Sequence, residues 1–361
     1  MTAFDSFRVR AGKNDWHNPF IKDELIRRLY INTGQIGSYG TIHTLWINGV
    51  YKGYYNTAER VRENFLQAHF NSNESWDVQQ VNSFASGDPT NWNKMINYLR
   101  TTDLSTTVGY AGVHDYLDVD NYIDYILVNA YSAMGDWPHN NWIASRERTS
   151  LGRWRFHVWD AEGAFGFSER NSSTNMFTEH LTLPSSRYPT ASAYTTNNQY
   201  VQAIYTLLKN SPEFRLRMAD RAQKHLYNDG ALVTSNITAA YNELRNEVSP
   251  IILETTGSSF RSSWHSTWIA NNKRFTELLS QLGGENAWPS VTAPSLNQHG
   301  GTIAQGFQMT LSNPNGGGTI YYTTDGTDPR ALGGAIVGNT YSGAVTLTDD
   351  TRVRARVRQS G

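Results

Sequence analysis

The sequence predicts an α+β domain followed by a small all-β module, and three observations lead to that prediction. Residues 1–284 mix helical periodicity with short strand-like runs. Residues 294–361 alternate apolar with polar positions and are rich in glycine, threonine and asparagine, as small β-domains are. Between them, residues 285–293 contain a proline and directly follow Gly283-Gly284, which is typical of a linker.

A β-hairpin is the first element with a clear signal. Apolar and polar residues alternate over 41–47, and Asn48-Gly49 is the dipeptide that two-residue hairpin turns favour. We expect the returning strand to continue through Tyr54-Tyr55. Helical spacing of apolar residues then predicts a helix over 59–70.

A long helix and a second pair of strands follow. Apolar residues recur three and four apart over 119–134, and Asp118 and Asp120 lie near the start, where the helix dipole favours negative charge. Strands are predicted over 141–145 and 154–159. Four further helices are predicted over 200–209, 213–226, 237–247 and 264–282. The large domain should therefore be strand-rich in its first half and helical in its second.

The β-module has its own strand signals. A strand over 319–324 ends at the turn-forming residues 325–329. Over 352–358 arginine alternates with small apolar residues, so four arginines should share the solvated face of one strand.

Charge and composition exclude several classes of protein. The chain has 361 residues, with 31 Lys and Arg against 32 Asp and Glu, and its net charge of −1 provides no basic excess for a nucleic-acid partner. It has no cysteine, which excludes disulfides, zinc-thiolate centres and cysteine nucleophiles. No apolar run approaches the length of a membrane span, and the first residues do not resemble an export signal.

The densest signal of a functional site lies between Gly135 and Gly166. Asp136 follows the predicted long helix, Asn141 comes five residues later, and Asp160 ends an apolar strand. In phosphoryl transfer, one Asp orients the substrate hydroxyl or accepts its proton, while an Asn and a second Asp supply oxygen ligands to Mg²⁺. These residue types therefore indicate phosphoryl transfer.

The same residues also fit a purely structural interpretation, because Asp and Asn are common in turns and an Asp often ends a strand. Two features favour a functional site. Loops at the ends of apolar strands are where binding residues gather. Trp137, His139 and Trp142 also crowd the first loop, which a simple connection does not require.

These motifs resemble the spore-coat CotH proteins, a family of atypical bacterial protein kinases. The similarity covers residues 4–282, and its most specific parts are the 45–55 hairpin, Glu59, the 136–141 loop and the 159–166 segment. The resemblance implies an atypical protein-kinase-like fold. It also implies transfer of the γ-phosphate of ATP to Ser or Thr of a protein substrate, with Mg²⁺ or Mn²⁺ as the metal.

Matched residue by residue, the resemblance implies that Asp136 is the catalytic aspartate and that Asn141 and Asp160 are metal ligands. Glu162 replaces the second Asp frequent in the family, so a carboxylate one methylene longer is offered to the metal. Glu59 matches an acidic position that pairs with a phosphate-binding lysine, and Lys22 matches a basic position of the nucleotide site.

The nucleotide-binding lobe of the family begins upstream of this chain, so the resemblance implies an incomplete N-terminal lobe. Arg8 and Arg10 correspond to the end of that missing region, and no Gly-rich phosphate loop precedes them. Lys13, Lys22 and Lys52 are candidate phosphate contacts, although a lysine is more often solvated on the surface.

The β-module resembles the chitobiase/β-hexosaminidase C-terminal domain, an immunoglobulin-like sandwich, through residues 307–311 and 320–329. Such modules accompany extracytoplasmic enzymes and surface proteins. The resemblance therefore implies a secreted or cell-surface protein whose signal peptide lies outside this chain, with the β-module associating with a cell surface or polysaccharide. We expect this module to be incomplete at its C-terminal end.

Two other classes of function stay open. A carbohydrate-active enzyme would use paired carboxylates such as Asp160 and Glu162, provided that they lie about 5–10 Å apart across a sugar. A non-catalytic surface or binding protein with a pseudokinase-like fold would bind nucleotide weakly or not at all.

Overall fold

The computed structural model describes residues 6–11, 21–81, 83–166, 170–183, 200–256 and 263–359. The chain divides into two compact units, Met1–Glu285 and Asn286–Gly361, which are described separately. Within those described ranges, no helix combines the length and the apolar character needed to cross a membrane.

The first unit contains helices and two antiparallel sheets. Its helices are α1 (Lys22–Asn32), α2 (Glu63–Phe70), α3 (Thr90–Thr101), α4 (Thr107–Ala111), α5 (Val119–Tyr131), α6 (Tyr200–Leu208), α7 (Pro212–Leu226), α8 (Thr234–Thr256), α9 (Ser263–His265) and α10 (Lys273–Gly284). Its strands are β1 (Phe7–Arg10), β2 (Gly40–Ile47), β3 (Val50–Glu59), β4 (Trp76–Gln80), β5 (Ser83–Ser86), β6 (Trp142–Glu147) and β7 (Arg155–Val158). The strand orders are β1-β3-β2 and β5-β4-β6-β7.

The predicted hairpin is confirmed. Strands β2 and β3 pair in antiparallel register, and both Asn48 and Gly49 between them have a positive φ, as a tight hairpin turn requires. The predicted strand pair β6–β7 is confirmed as well. Because β6 and β7 are adjacent, the loops at their shared edge come together.

Helix α5 lies at the centre of the first unit. The sequence predicts an apolar stripe there, but nearly every side chain of the helix is buried, because α1, α7, α10 and β7 all pack against it. Asp118 caps its first turn by accepting a hydrogen bond from the Asn121 amide at 3.1 Å. In its middle, the buried Asp124 forms an ion pair with Arg221 of α7, and His225 Nε2 of the same helix lies 2.9 Å from its carboxylate.

Several helical predictions were wrong in extent. The helix predicted from Glu59 begins at Glu63, because β1 pairs with β3 as far as Glu59 and extends that strand. The single helix predicted over 264–282 is interrupted, since a π-helical turn at Ser266–Ala270 and a positive φ at Asn272 separate α9 from α10. The first half is also less strand-rich than predicted, because it includes α1, α3 and α4.

The second unit is all-β and consists of several small antiparallel sheets. Its strands are β8 (Ser295–Leu296), β9 (Phe307–Met309), β10 (Leu311–Ser312), β11 (Thr319–Thr323), β12 (Asn339–Thr340), β13 (Val345–Leu347) and β14 (Arg354–Arg358). The predicted alternation near its end is confirmed over β14, where Ala355 and Val357 pack on the core while Arg356 pairs with Asp328 at 2.6 Å.

Candidate functional site

Two loops form the candidate site. The first loop, residues 132–141, connects α5 to β6, and the second loop, residues 159–166, follows β7. The backbone amide of Gly135 donates to the carbonyl of Gly163 at 2.8 Å, and the Phe165 amide donates to Ser132 at 2.9 Å. The loop that carries Asp136 and Asn141 therefore lies directly beside the loop that carries Asp160 and Glu162.

Both loops have an unusual backbone. Asp136, Asn141 and Asp160 have φ angles of 55°, 55° and 53°, a left-handed conformation that Asp and Asn tolerate better than most residues. Ala133 at 44° and Phe165 at 52° share it, although their side chains do not favour it. Such conformations concentrate at ligand sites, where the surrounding structure holds them in place.

The carboxylate of Asp136 is hydrogen-bonded within its own loop. Asn140 Nδ2 and Asn141 Nδ2 lie 3.2 and 3.5 Å from Asp136 Oδ2, and His139 Nε2 lies 3.2 Å from Oδ1. The Asp136 side chain is 45% exposed, so an external hydroxyl can reach it. Because Asn141 directs its amide nitrogen at Asp136, its amide oxygen remains for another ligand.

Asp160 and Glu162 share one cationic partner, Arg10 of β1. Arg10 Nη2 forms a salt bridge with Asp160 Oδ1 and lies 3.7 Å from Glu162 Oε2, while Arg10 Nε lies 3.3 Å from Asp23 Oδ2. Burial alone would lower the pKa of Arg10, but the carboxylates of Asp23 and Asp160 raise it above its ordinary value. Three carboxylates thus converge on one positive group.

Asp23 attaches the second loop to helix α1. Its Oδ1 accepts a hydrogen bond from the Ala161 amide at 2.6 Å, and its Oδ2 lies 3.2 Å from Arg27 Nε. Burial would raise the pKa of Asp23, but the positive charges of Arg27 and Arg10 lower it below its ordinary value. Sequence reasoning missed Asp23, because a charged residue on a helix is normally solvated.

Lys22 also holds the second loop. It is only 3% exposed, so its interpretation as a solvated surface lysine was wrong. Its Nζ donates to the carbonyl of Phe165 at 3.2 Å and lies 5.5 Å from the centre of the Trp264 ring. Lys52 is exposed on β3, and Lys13 lies outside the described residues.

Glu59, the last residue of β3, has two partners of its own. His69 Nε2 lies 3.1 Å from its carboxylate, and the Tyr39 amide donates to it at 3.0 Å. Burial would raise the pKa of Glu59, but these hydrogen bonds lower it. In the part of the chain that the structure covers, Glu59 contacts no lysine, so the expected Lys–Glu pair is not seen there.

Buried side chains from the end of the first unit support both loops. Phe165 stacks on Trp264 with ring centres 5.3 Å apart and meets Trp268 edge-on at 6.0 Å, and both tryptophans are buried in the core. The guanidinium of Arg274, on α10, binds backbone carbonyls. These belong to Ala130, Tyr131, Ser172 and Thr174, at distances from 2.7 to 3.3 Å.

The donor set fits a hard divalent cation. Among the described residues, no group of three or more His, Cys, Asp or Glu side chains is arranged to hold a metal. Magnesium needs fewer protein ligands than that, because it typically keeps several waters and binds one or two carboxylates together with phosphate oxygens. Asp160 and Glu162 meet around a single nitrogen of Arg10, which shows that both carboxylates face one cationic position.

Comparison with known proteins gives a family match for each unit. A family model described as CotH kinase protein matches residues 4–281. A model described as chitobiase/beta-hexosaminidase C-terminal domain matches residues 298–361. A search of curated proteins finds no match. Both resemblances inferred from the motifs are therefore confirmed at the level of the family.

Proposed function

The chain belongs to the CotH kinase protein family, and from that premise we propose that it transfers the γ-phosphate of ATP to a Ser or Thr hydroxyl of a protein. One observation carries the proposal. The carboxylates of Asp160 and Glu162 converge on one cationic position, and the backbone bond between Gly135 and Gly163 holds that position beside the loop of Asp136. Phosphoryl transfer needs this combination of a cation site and a neighbouring carboxylate.

Asp136 has the role of positioning the acceptor. Its exposed carboxylate hydrogen-bonds the substrate hydroxyl and takes its proton as the new oxygen–phosphorus bond forms. The bond between the γ-phosphorus and its bridging oxygen breaks in the same displacement, and ADP leaves with the electron pair of that bond. The carboxylate keeps its orientation toward the substrate hydroxyl while its charge changes, because Asn140, Asn141 and His139 contact it.

The residues that would hold Mg²⁺ or Mn²⁺ are Asn141, Asp160 and Glu162. When bound, such a cation neutralises the charge on the phosphate oxygens. Before that, Arg10 neutralises Asp160 and Glu162, and Asp23 keeps the loop that carries them against α1. Lys22 supports this loop from the other end through Phe165.

The architecture proposed for the whole chain follows the family. The β1-β3-β2 sheet with α1 forms the nucleotide-binding lobe, and the helices that follow β7 form the second lobe of a kinase-like domain. The second unit forms an immunoglobulin-like sandwich that associates with a cell surface or polysaccharide, in a protein that is exported.

Phosphotransfer can be measured directly with γ-labelled ATP, a surface-protein extract and Mg²⁺ or Mn²⁺. The intact chain should label protein Ser or Thr residues, and label should fall at least a hundredfold with Asp136→Asn and with Asp160→Asn. Asn suits the left-handed backbone at both positions, so neither variant should unfold. Asp115→Asn, on an exposed residue outside the site, is the matched control and should retain full transfer.

A non-catalytic, pseudokinase-like protein would give the opposite result. Labelling by the intact chain would then stay at background, whether or not ATP binds with metal. Equal labelling by the intact chain and by Asp160→Asn would also contradict the proposed roles.

A further inference from the structure

Three arginines lie together beside the site. In the ranges that the structure covers, Arg8, Arg60 and Arg62 form no salt bridge with any Asp or Glu, although Arg8 is near enough to Asp160 to be attracted by its charge. Arg10, by contrast, lies among three carboxylates. Arginines that form no salt bridge normally point into solvent, yet these three are each partly buried.

The fold fixes Arg8 next to the proposed metal ligands. Arg8 and Arg10 alternate along β1 and therefore share one face of the sheet, where they pair in register with Ala58 and Asn56 of β3. The guanidinium carbon of Arg8 lies 3.7 Å from the centre of the Trp159 ring. Trp159 directly precedes Asp160, so the stacked guanidinium lies at the entrance to the second loop.

Arg60 and Arg62 complete a cationic group around Arg8. Arg60 follows the last residue of β3, and its Nε is buried without a hydrogen-bond partner in the structure. Among the described residues, Arg62 donates to neutral oxygens, of Val61 at 3.1 Å and of Gln80 at 3.0 Å. Burial and the positive charges of Arg10, Arg60 and Arg62 lower the pKa of Arg8 to about 10, although the negative charge of Asp160 opposes this shift.

Such a group is unfavourable by itself, because like charges repel and partial burial removes their water. An anion with several charges would reverse both effects. Guanidinium groups bind phosphate oxygens in bidentate geometry, which suits them to a chain of phosphates.

We infer that Arg8, Arg60 and Arg62 form a binding site for a polyphosphate anion, with Asp160 and Glu162 at one end of it. The identity of that anion as a nucleoside triphosphate rests on the proposed function; the affinity for linked phosphates does not. The phosphates then lie between the arginine group and the position that Asp160 and Glu162 share.

Calorimetric titration of the full chain with inorganic tripolyphosphate, in EDTA and at low ionic strength, tests the site without metal and without nucleoside. Wild-type protein should bind, and Arg8→Gln and Arg60→Gln should each weaken binding about ten- to a hundredfold. Arg60→Lys should recover part of the loss. Arg100→Gln removes the same charge from an exposed position on α3 and should change affinity less than twofold.

Asp160→Asn separates this inference from the proposed function. This substitution removes a negative charge near the arginines and frees Arg10, so tripolyphosphate should bind more tightly in the absence of metal. It also removes a proposed metal ligand, so adding Mg²⁺ should no longer increase the affinity for ATP. Failure of wild-type protein to bind tripolyphosphate, or unchanged binding in both Arg60 variants, would overturn the inference. Arginine-dependent binding without any phosphotransfer would refute the proposed function and leave the polyphosphate site intact.

Discussion

Acidification should destabilise the first unit through His157, which lies on β7 three residues before Asp160. The ring is 1% exposed, with Nδ1 3.0 Å from the carbonyl of Ile36 and Nε2 2.8 Å from Ser145 Oγ. A carbonyl only accepts hydrogen bonds, so Nδ1 carries the proton and Nε2 accepts from the Ser145 hydroxyl. The folded protein therefore holds a neutral imidazole that also ties β7 to the α1–β2 connection.

The size of the effect follows from the pKa of this ring. Burial, assisted by the charge of Arg155, lowers the pKa of His157 from 6.5 to about 4. Between these values the unfolded chain binds a proton that the folded chain does not, so the free energy of unfolding falls as the pH drops from about 6.5 to about 4. About 2.5 pH units at about 1.4 kcal/mol each give about 3.5 kcal/mol.

Urea unfolding of wild-type protein and His157→Gln at about pH 7 and about pH 4.5 measures this contribution. Glutamine can still donate to Ile36 but does not titrate, so the stability advantage of the wild type should shrink by about 2–3 kcal/mol on acidification. His299→Gln, at an exposed position of the second unit, should show no such change relative to wild type. A constant difference between wild type and His157→Gln across this range would refute the reasoning.

Two further predictions concern the residues that hold the loops. Arg274→Met removes the guanidinium that donates to the carbonyls of Ala130, Tyr131, Ser172 and Thr174, and it should lower the free energy of unfolding by about 3 kcal/mol in urea titration. The exposed Arg100→Met should change it by less than about 0.5 kcal/mol. Equal effects would contradict the role of Arg274. Gly163→Ala places a Cβ 2.7 Å from the Gly135 carbonyl oxygen and should weaken Mg²⁺-dependent ATP binding at least tenfold by calorimetry. Gly283→Ala, which has open space around its Cβ, should leave that binding unchanged. Unchanged binding in Gly163→Ala would show that the contact between the two loops does not shape the site.

Short sequence patterns correctly predicted the elements whose conformation depends on neighbouring residues in the chain. The Asn48-Gly49 turn has the positive φ angles that this dipeptide favours, and the alternation over β14 has its apolar residues on the core. Helix α1 was not predicted, although Leu25, Ile26, Leu29 and Tyr30 recur at helical spacing and are buried. Its Asp23 and Glu24 are buried as well and both pair with Arg27, so the charged residues of this helix do not mark a solvated face.

The candidate site was predicted only in part. Asp136, Asn141 and Asp160 could be singled out because their residue types follow the ends of elements, and the structure places their two loops side by side. Arg10 was noted only as the end of an upstream region. Its ion pair joins residues 150 positions apart, and such a contact depends on how the β1-β3-β2 sheet packs against the second loop.

Anomalous diffraction from crystals of the full chain with Mn²⁺ and a non-hydrolysable ATP analogue would locate the cation itself. We expect a manganese peak within coordination distance of the Asp160 and Glu162 carboxylates and of a phosphate oxygen, with Arg10 displaced from both. A manganese ion and nucleotide bound elsewhere, with the Arg10 salt bridges intact, would contradict it.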